Sequence, residues 1–331
     1  MIKKIAILGA GLSGLTLATK LKNSAEVTVF EKSHSVGGRM STRNHHKHSF
    51  DHGAQYFSVK SNAFAGFLEP FKGDHIVKEW RPNIVEIAVN GKASPVIWKQ
   101  PRYVAAPGMR DLCEAIASGL NIELSKNIAQ VESRDDGNWL ILDDCQTLGP
   151  YDWIITTIPS HQAAVLLPND CSIQTALSAV QMKGCYALML GFDDQVDIPW
   201  DAALRPILSA DQAISWVAVN STKPNRNNGY SVLVQSSNDW ANERLDADQN
   251  EIKTFLLRDL EDLLGSRLPS RIYEKLHKWR YANVSKPANQ DYLMDEVLHL
   301  AACGDWCLHG KVEAAFLSAD ALARKLKDIM S

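Results

Sequence analysis

The sequence predicts an α/β protein of two domains, one built on a parallel sheet and the other, of α+β type, on a mixed or antiparallel sheet. Three observations carry this. A strand, Lys4–Leu8, runs through Gly9-Ala10-Gly11-Leu12-Ser13-Gly14 directly into a helix. The next strand, Glu26–Phe30, ends on the acidic Glu31, 17 positions after Gly14. The middle of the chain, for example Trp216-Val217-Ala218-Val219 and Val232-Leu233-Val234, reads as strands with one buried face.

The glycines of the first turn have separate tasks. Gly9 permits the tight turn, Gly11 lets the backbone approach a pyrophosphate, and Gly14 lets the helix from Leu15 to Lys22 lie close on the strand. That helix aims unpaired N–H groups and its positive dipole end at phosphate. Glu31 is placed to accept hydrogen bonds from ribose hydroxyls, and an acid there disfavours a 2′-phosphate. Strand, GxGxxG turn, helix and acid together predict a Rossmann-like dinucleotide site.

The chain's 331 residues suffice for two domains, and 45% hydrophobic with 22% charged residues is ordinary for a soluble protein. A formal net charge of −3 argues against nucleic acid or an anionic membrane as partner. No apolar run reaches the roughly 18 residues of a membrane span, and the N-terminal apolar residues read as the first strand rather than an export signal. Six scattered cysteines without a CxxC spacing read as reduced thiols of a cytoplasmic protein.

Further elements follow from periodicity and turn chemistry. Asn62–Phe71 predicts a short helix, and Ile84–Trp98 alternates around Asn90-Gly91, a two-residue hairpin signal. The chain returns at Tyr103, passes Pro107-Gly108-Met109 and enters a helix over Arg110–Ser118. Strands are expected at Asn121–Leu124, Asn127–Arg134, Trp139–Leu142 and Asp152–Ile158, with Asp135-Asp136-Gly137-Asn138 as a turn. Next come helices His161–Leu167 and Ser172–Met182, strands Gly184–Phe192, Ala213–Asn220 and Gly229–Ser237, helix Asp248–Leu264 and a long strand, Arg271–Ala282. A last strand, Val297–Ala302, leads into Cys303-Gly304-Asp305-Trp306, and the helix Val312–Leu326 follows.

Two polar segments stay open. Arg43-Asn44-His45-His46-Lys47-His48 offers imidazoles to a metal, but no Cys or carboxylate completes a site, and the segment also reads as a solvated loop. Asn220–Arg226 places Lys223 and Arg226 among hydroxyls, either to hold substrate phosphates or as a plain polar hairpin loop with a Pro turn.

Val36-Gly37-Gly38-Arg39-Met40-Ser41-Thr42 resembles the GGR signature of the flavin-containing amine oxidase superfamily, although Ser35 stands where an arginine is usual. Asp51-His52-Gly53-Ala54-Gln55-Tyr56-Phe57 resembles the superfamily's strand beneath the flavin ring, and Gly304-Asp305 its second FAD signature. The ordered set of Gly-Ala-Gln-Tyr-Phe, Ala-Pro-Gly-Met, Ile-Ser-Trp216-Val-Ala, Lys-Pro-x-Arg226, His277-Lys-Trp279-Arg280-Tyr281-Ala and Cys-Gly-Asp-Trp resembles the renalase family, especially its bacterial members, over essentially the full length.

That resemblance implies noncovalent FAD, since Val284–Glu296 holds no flavin-linking Cys. It implies cofactor contacts from Gly9, Gly11, Ser13, Gly14, Glu31, Lys32, Gly38, Arg39, Gln55, Tyr56, Val131, Asp305 and Val312, and no metal. The substrate walls are sought at Phe57, Trp98, Tyr186, Trp216, Trp279 and His309. Residues 1–68, 103–159 and 291–331 are expected to hold FAD, and 69–102 and 160–290 the substrate. The implied activity takes hydride from 2- or 6-dihydro-NAD(P) and passes the electrons to dioxygen. An oxidase of small amines and a flavin-binding protein without turnover stand beside it as other readings.

Overall fold

The computed structural model describes residues 2–88, 91–133, 139–143, 146–207, 212–226 and 229–331. Strand β1 (Lys4–Leu8) enters helix α1 (Leu12–Leu21), and strand β2 (Glu26–Phe30) follows. They form the centre of a six-stranded sheet in the order Leu293–Asp295, Leu300–Ala302, Trp153–Thr156, β1, β2, Ile122–Glu123. Every neighbouring pair is parallel except the first. Ile5, Ala6, Ile7 and Leu8 are all buried, as expected of a strand covered on both faces.

Helix α1, the helix Met109–Ala117 and the final helix Val312–Met330 pack on one face through Leu15, Leu17, Leu112, Phe316 and Leu322. Each such side chain stabilises the fold by about 1.5–3 kcal/mol. Gly14 sets the distance between α1 and β1, because a Cβ there would lie 2.0 Å from the Gly9 carbonyl oxygen. The other face is covered by the segment 160–180 and Trp306, whose indole donates to the Ile158 carbonyl at 3.0 Å.

The second sheet has seven strands in the order Tyr273–Lys286, Gln181–Phe192, Tyr230–Ser236, Ile214–Val219, Ala202–Leu204, Ile84–Ile87, Ala93–Pro95. It is antiparallel apart from the parallel pair Ala202–Leu204 and Ile84–Ile87. The helix Gln249–Leu264 covers its outer face with Ile252, Leu256 and Leu260, and Asp248 caps that helix by accepting from the Asn250 and Glu251 N–H groups.

Several expectations are corrected. The histidine-bearing segment is no solvated loop: strands β3 (Thr42–His45) and β4 (His48–Asp51) form a hairpin. Thr42, His48, Phe50 and Asp51 are buried, so the period-two signal was hidden by polar residues that face inward. The expected strand through Gly53–Phe57 stops at Asp51, and beyond it the chain is extended, with one bridge from Phe57 to Tyr103. The helix over Ser172–Met182 shortens to Gln174–Ala179, because Gln181 already belongs to the second sheet. The strands Val77–Trp80 and Arg102–Ala105 pair outside both large sheets, and a short helix, Asp305–Leu308, precedes the last one.

The Asn90-Gly91 hairpin is seen in the pairing of Ile84–Ile87 with Ala93–Pro95, although Asn90 itself, the turn Asp135–Asn138 and Cys145 lie outside the described residues. No described helix is long and apolar enough to cross a membrane.

Candidate active site

A cleft of about 1670 Å³ runs between the two sheets, from the first glycine turn to the roof strand Tyr273–Lys286. Pockets for single small ligands span roughly 300–1,000 Å³, so this one has room for a dinucleotide and a second molecule.

Two helix N-termini open into it. Gly11 caps α1 without any side-chain hydrogen bond, and a Cβ built on it would meet nothing within 4 Å, so the turn is bare where a phosphate would sit. Lys311 occupies the same position on the final helix, again with no side-chain cap, and Gly310, Lys311, Val312 and Glu313 line the cleft. Beside the first turn, the Glu31 carboxylate accepts from the Ala10 N–H at 2.8 Å and the Ser33 N–H at 2.8 Å, which fixes its orientation at the cleft wall. Ser13 lines the cleft and donates to the Ala315 carbonyl at 2.9 Å, tying the two helix starts together.

Between these ends lies the GGR turn. Gly37 and Gly38 have φ of +115° and +53°, which only glycine adopts without strain. The resemblance implies a cofactor contact from Arg39. In the structure it is held by both oxygens of Asp305, with Nη1 at 2.9 Å from Oδ2, and it also donates to the Ala282 carbonyl at 3.1 Å. One guanidinium thus joins the first turn region, the Gly-Asp turn and the roof. Gly53 presses on this turn so closely that a Cβ would lie 2.0 Å from the Arg39 carbonyl oxygen.

The segment after β4 is governed by a buried ionic cluster that neither sequence reading of Lys223 and Arg226 anticipated. Both cations turn inward and are 1% and 3% exposed. Asp51 accepts from Lys223 Nζ at 3.1 Å and from Arg226 Nε and Nη2 at 3.1 and 2.7 Å, while its other oxygen accepts from the Thr42 hydroxyl and the Met109 N–H. Burial alone would raise the Asp51 carboxyl, but the two cations and the neutral donors together hold it at about 2. Burial pushes the Lys223 ammonium down to about 8 against the pull of Asp51. Lys223 also donates to Gln55 Oε1 at 3.2 Å, and the Gln55 amide donates to the Asp51 and Gly53 carbonyls, so the side chain that reaches the cleft is locked from behind.

The roof supplies Trp216, Gln235, His277 and Trp279. Gln235 donates to the Gly53 carbonyl at 2.8 Å and the Trp279 indole to the His52 carbonyl at 2.8 Å, which ties the roof to the segment holding Gln55 and Tyr56. Tyr56 and Trp216 stand 5.7 Å apart between ring centres, and the buried Trp216 indole N–H has no partner among the described residues.

Of the expected site residues, Gly9, Gly11, Ser13, Glu31, Lys32, Gly38, Arg39, Gln55, Tyr56, Phe57, Trp216, Trp279, Asp305 and Val312 meet on this one cleft, with Gly14 immediately behind Gly9. Four others do not line it. Tyr186 points away from its neighbour Cys185, which does line the cleft, into the second-domain core, where it packs on Trp240 and donates to the Arg244 carbonyl at 2.7 Å. Strand side chains alternate, and a single residue of parity decides the face. Val131 is buried in the core beside β1, and Ile128 reaches the cleft in its place. His309 is exposed in the turn before Gly310. Trp98 stands one layer back, 4.8 Å from the Tyr56 ring, with Arg102 across both rings. Among the described residues no three potential metal ligands cluster.

The chain matches two family descriptions: an NAD(P)-binding Rossmann-like domain over residues 7–71 and a flavin containing amine oxidoreductase over residues 86–326. It is 23% identical to renalase of Mus musculus over 98% of this chain and 99% of that protein. A shorter likeness, 45% over 51 residues, joins 15% of the chain to 10% of a 4,4'-diapophytoene desaturase of Staphylococcus aureus. The fold is shared with the crystal structure of a putative protoporphyrinogen oxidase from Exiguobacterium sp. 255-15, at a TM-score of 0.82, 13% identity and 99% coverage of both chains. It is shared also with a CLA-producing fatty acid isomerase from P. acnes, at a TM-score of 0.75 and 13% identity, covering 97% and 98% of the two chains. The bare turn at Gly11, the fixed Glu31 carboxylate and the second helix start make one continuous seat that fits a flavin dinucleotide. The chain therefore belongs to the flavin containing amine oxidoreductase family, as a renalase-like oxidoreductase with FAD as its cofactor.

Proposed function

We propose that the protein oxidises misreduced dihydronicotinamide dinucleotides, the 2- or 6-dihydro isomers, to NAD(P)+ with dioxygen as final acceptor and hydrogen peroxide as product, as the renalase resemblance implies. FAD, when bound, supplies the hydride acceptor and the route to dioxygen.

The observation that carries this reading is the wall around Tyr56. Tyr56 packs on Trp216, and on the same cleft Trp279 packs on His52 and His277, whose imidazoles are each pushed down to about 4, chiefly by burial. Such a wall stacks a planar ring and excludes water, yet presents it with no strong base. A dihydronicotinamide needs none, because its aromatisation drives hydride loss once the donor carbon is held in near-attack contact.

The chain's own groups divide the remaining work. The α1 N-terminus with Gly9, Gly11, Ser13 and Gly38 holds the pyrophosphate, Glu31 with Lys32 the adenosine ribose, and Asp305 with Arg39 the ribityl chain. Gln55 and Tyr56 hold the ring, and the N–H groups around Val312 and the dipole of the last helix stabilise negative charge gained there. Residues 1–68, 103–159 and 291–331 hold the cofactor, and 69–102 with 160–290 roof the substrate. The site of action is the cytoplasm, where the protein's thiols stay reduced.

The test is the visible flavin spectrum of the purified protein under anaerobic conditions. Bleaching within seconds by a mixture of dihydronicotinamide isomers, but not by simple amines in a parallel cell, is the expected result. Bleaching by amines alone would make the protein an amine oxidase and overturn the proposal.

A further inference from the structure

The roof strand Tyr273–Lys286 crosses the cleft and reports where along it each charge lies. At Ala282 it touches Arg39, and at Tyr281 it stacks on His161 of the helix Ser160–Leu166 at 5.5 Å. Five residues earlier, roughly 16 Å along a strand that rises ~3.3 Å per residue, His277 faces the same cleft beside Arg43 and His52. This second cluster is set apart from the Arg39–Asp305 pair.

Its composition differs as well. Arg39 is neutralised by Asp305, whereas no side-chain hydrogen bond or ion pair joins the half-buried Arg43 to any described residue. The His52 ring stands edge-on to His277 at 4.9 Å and stacks on Trp279 at 5.4 Å. His52 is 5% exposed, and its buried Nδ1 has no partner among the described residues, while Nε2 lies 3.3 Å from the Ser41 hydroxyl. An uncompensated guanidinium, an imidazole on the cleft wall and a buried ring nitrogen without a partner form an electropositive corner, and no carboxylate hydrogen-bonds to any of them.

We propose that Arg43 and His277, with His52 holding the His277 ring edge-on, form a second anion station that takes a phosphate of the dinucleotide substrate. The assignment rests on the dinucleotide reading above and deepens it. It explains how one cleft orders two phosphorylated molecules: the cofactor's pyrophosphate goes to the α1 turn, and the substrate's goes to the far end of the roof strand. Burial, the neighbouring His277 and Arg43 keep the His52 ring neutral, and burial with Arg43 does the same for His277, so that Arg43 carries the charge and the His277 ring supplies an N–H donor.

The experiment uses the FAD-loaded protein and three probes: NAD+, nicotinamide riboside, which lacks phosphate, and inorganic pyrophosphate. Dissociation constants are read from flavin absorbance perturbation, and the histidine ring signals from NMR. Arg43→Gln should weaken NAD+ by about 10- to 100-fold, Arg43→Lys by less, and neither should shift the riboside constant more than about twofold. Pyrophosphate alone should move the His277 signal in the wild type and not in Arg43→Gln. NAD+ constants that are equal in wild type and both variants would overturn the station even if dihydronicotinamides bleach the flavin. If no dihydronicotinamide bleaches the flavin while pyrophosphate still moves His277 through Arg43, the station stands and the substrate reading falls.

Discussion

Asp51 shows how much one buried carboxylate organises. It faces two cations, so the cluster carries a net positive charge with Asp51 as its hinge. Asp51→Asn leaves both cations buried without a counter-charge and should cost about 3–5 kcal/mol of unfolding free energy. Lys223→Met, which leaves Arg226 matched to Asp51, should cost less than half of that, and urea denaturation of both variants checks the order. The pH dependence follows from the same residues. His52 and His277 titrate near 4 when folded and near 6.5 when not, so the unfolded chain binds more protons between those values and stability falls as pH drops from 6.5 to 4. Asp51, held near 2 instead of 3.8, keeps its contribution above pH 4 and loses it towards pH 2. Lys223, held near 8 instead of 10.5, makes stability rise between pH 8 and 10.5. Thermal melts across these windows should show both slopes, and His52→Asn should flatten the acid one. None of this was legible in the sequence, since Asp51 and His52 stand some 170 positions from the polar loop that holds Lys223 and Arg226 and only the fold brings them together.

At the scale of elements, the glycine turn was legible because its demands are local. Strand, Gly9, Gly11, Gly14 and helix all lie within twenty residues, and no distant contact is needed to interpret them. Gly14→Ala should lift α1 off β1, because the added methyl has no room against the Gly9 carbonyl. The expected loss is about 1–3 kcal/mol together with a lower flavin-to-protein absorbance ratio, read from melts and spectra of the same preparation. Tyr186 marks the opposite case. The strand around it was read correctly, but the side of the sheet it faces depends on register against Tyr230–Ser236 and Tyr273–Lys286, which periodicity does not supply. The β3–β4 hairpin was missed for a related reason, as His48 is buried against Ser231 and counts as polar in any pattern.

At the scale of the molecule, the glycine turn with its acid and the alternating strands around Trp216 and Val232 were enough to predict the two-sheet architecture. The interlock of those ends was not, because it runs through single side chains. Arg39 is the main one, joined to Asp305 and to Ala282 of the roof. Arg39→Leu would strand the Asp305 carboxylate, and we expect a loss of about 2 kcal/mol, or roughly thirtyfold in the FAD dissociation constant, measurable by fluorescence recovery on reconstitution. The sheet order carries a further implication for biosynthesis. Strand Trp153–Thr156, one of the two neighbours of β1, stays an open edge until Leu300–Ala302 emerges from the ribosome, almost 150 residues later. A nascent chain therefore holds a half-built nucleotide seat with an unpaired apolar strand while almost 150 further residues are made, exposed to misassembly. Both the capture of flavin and the escape from that hazard wait for the same late event, the docking of the last strand and helix.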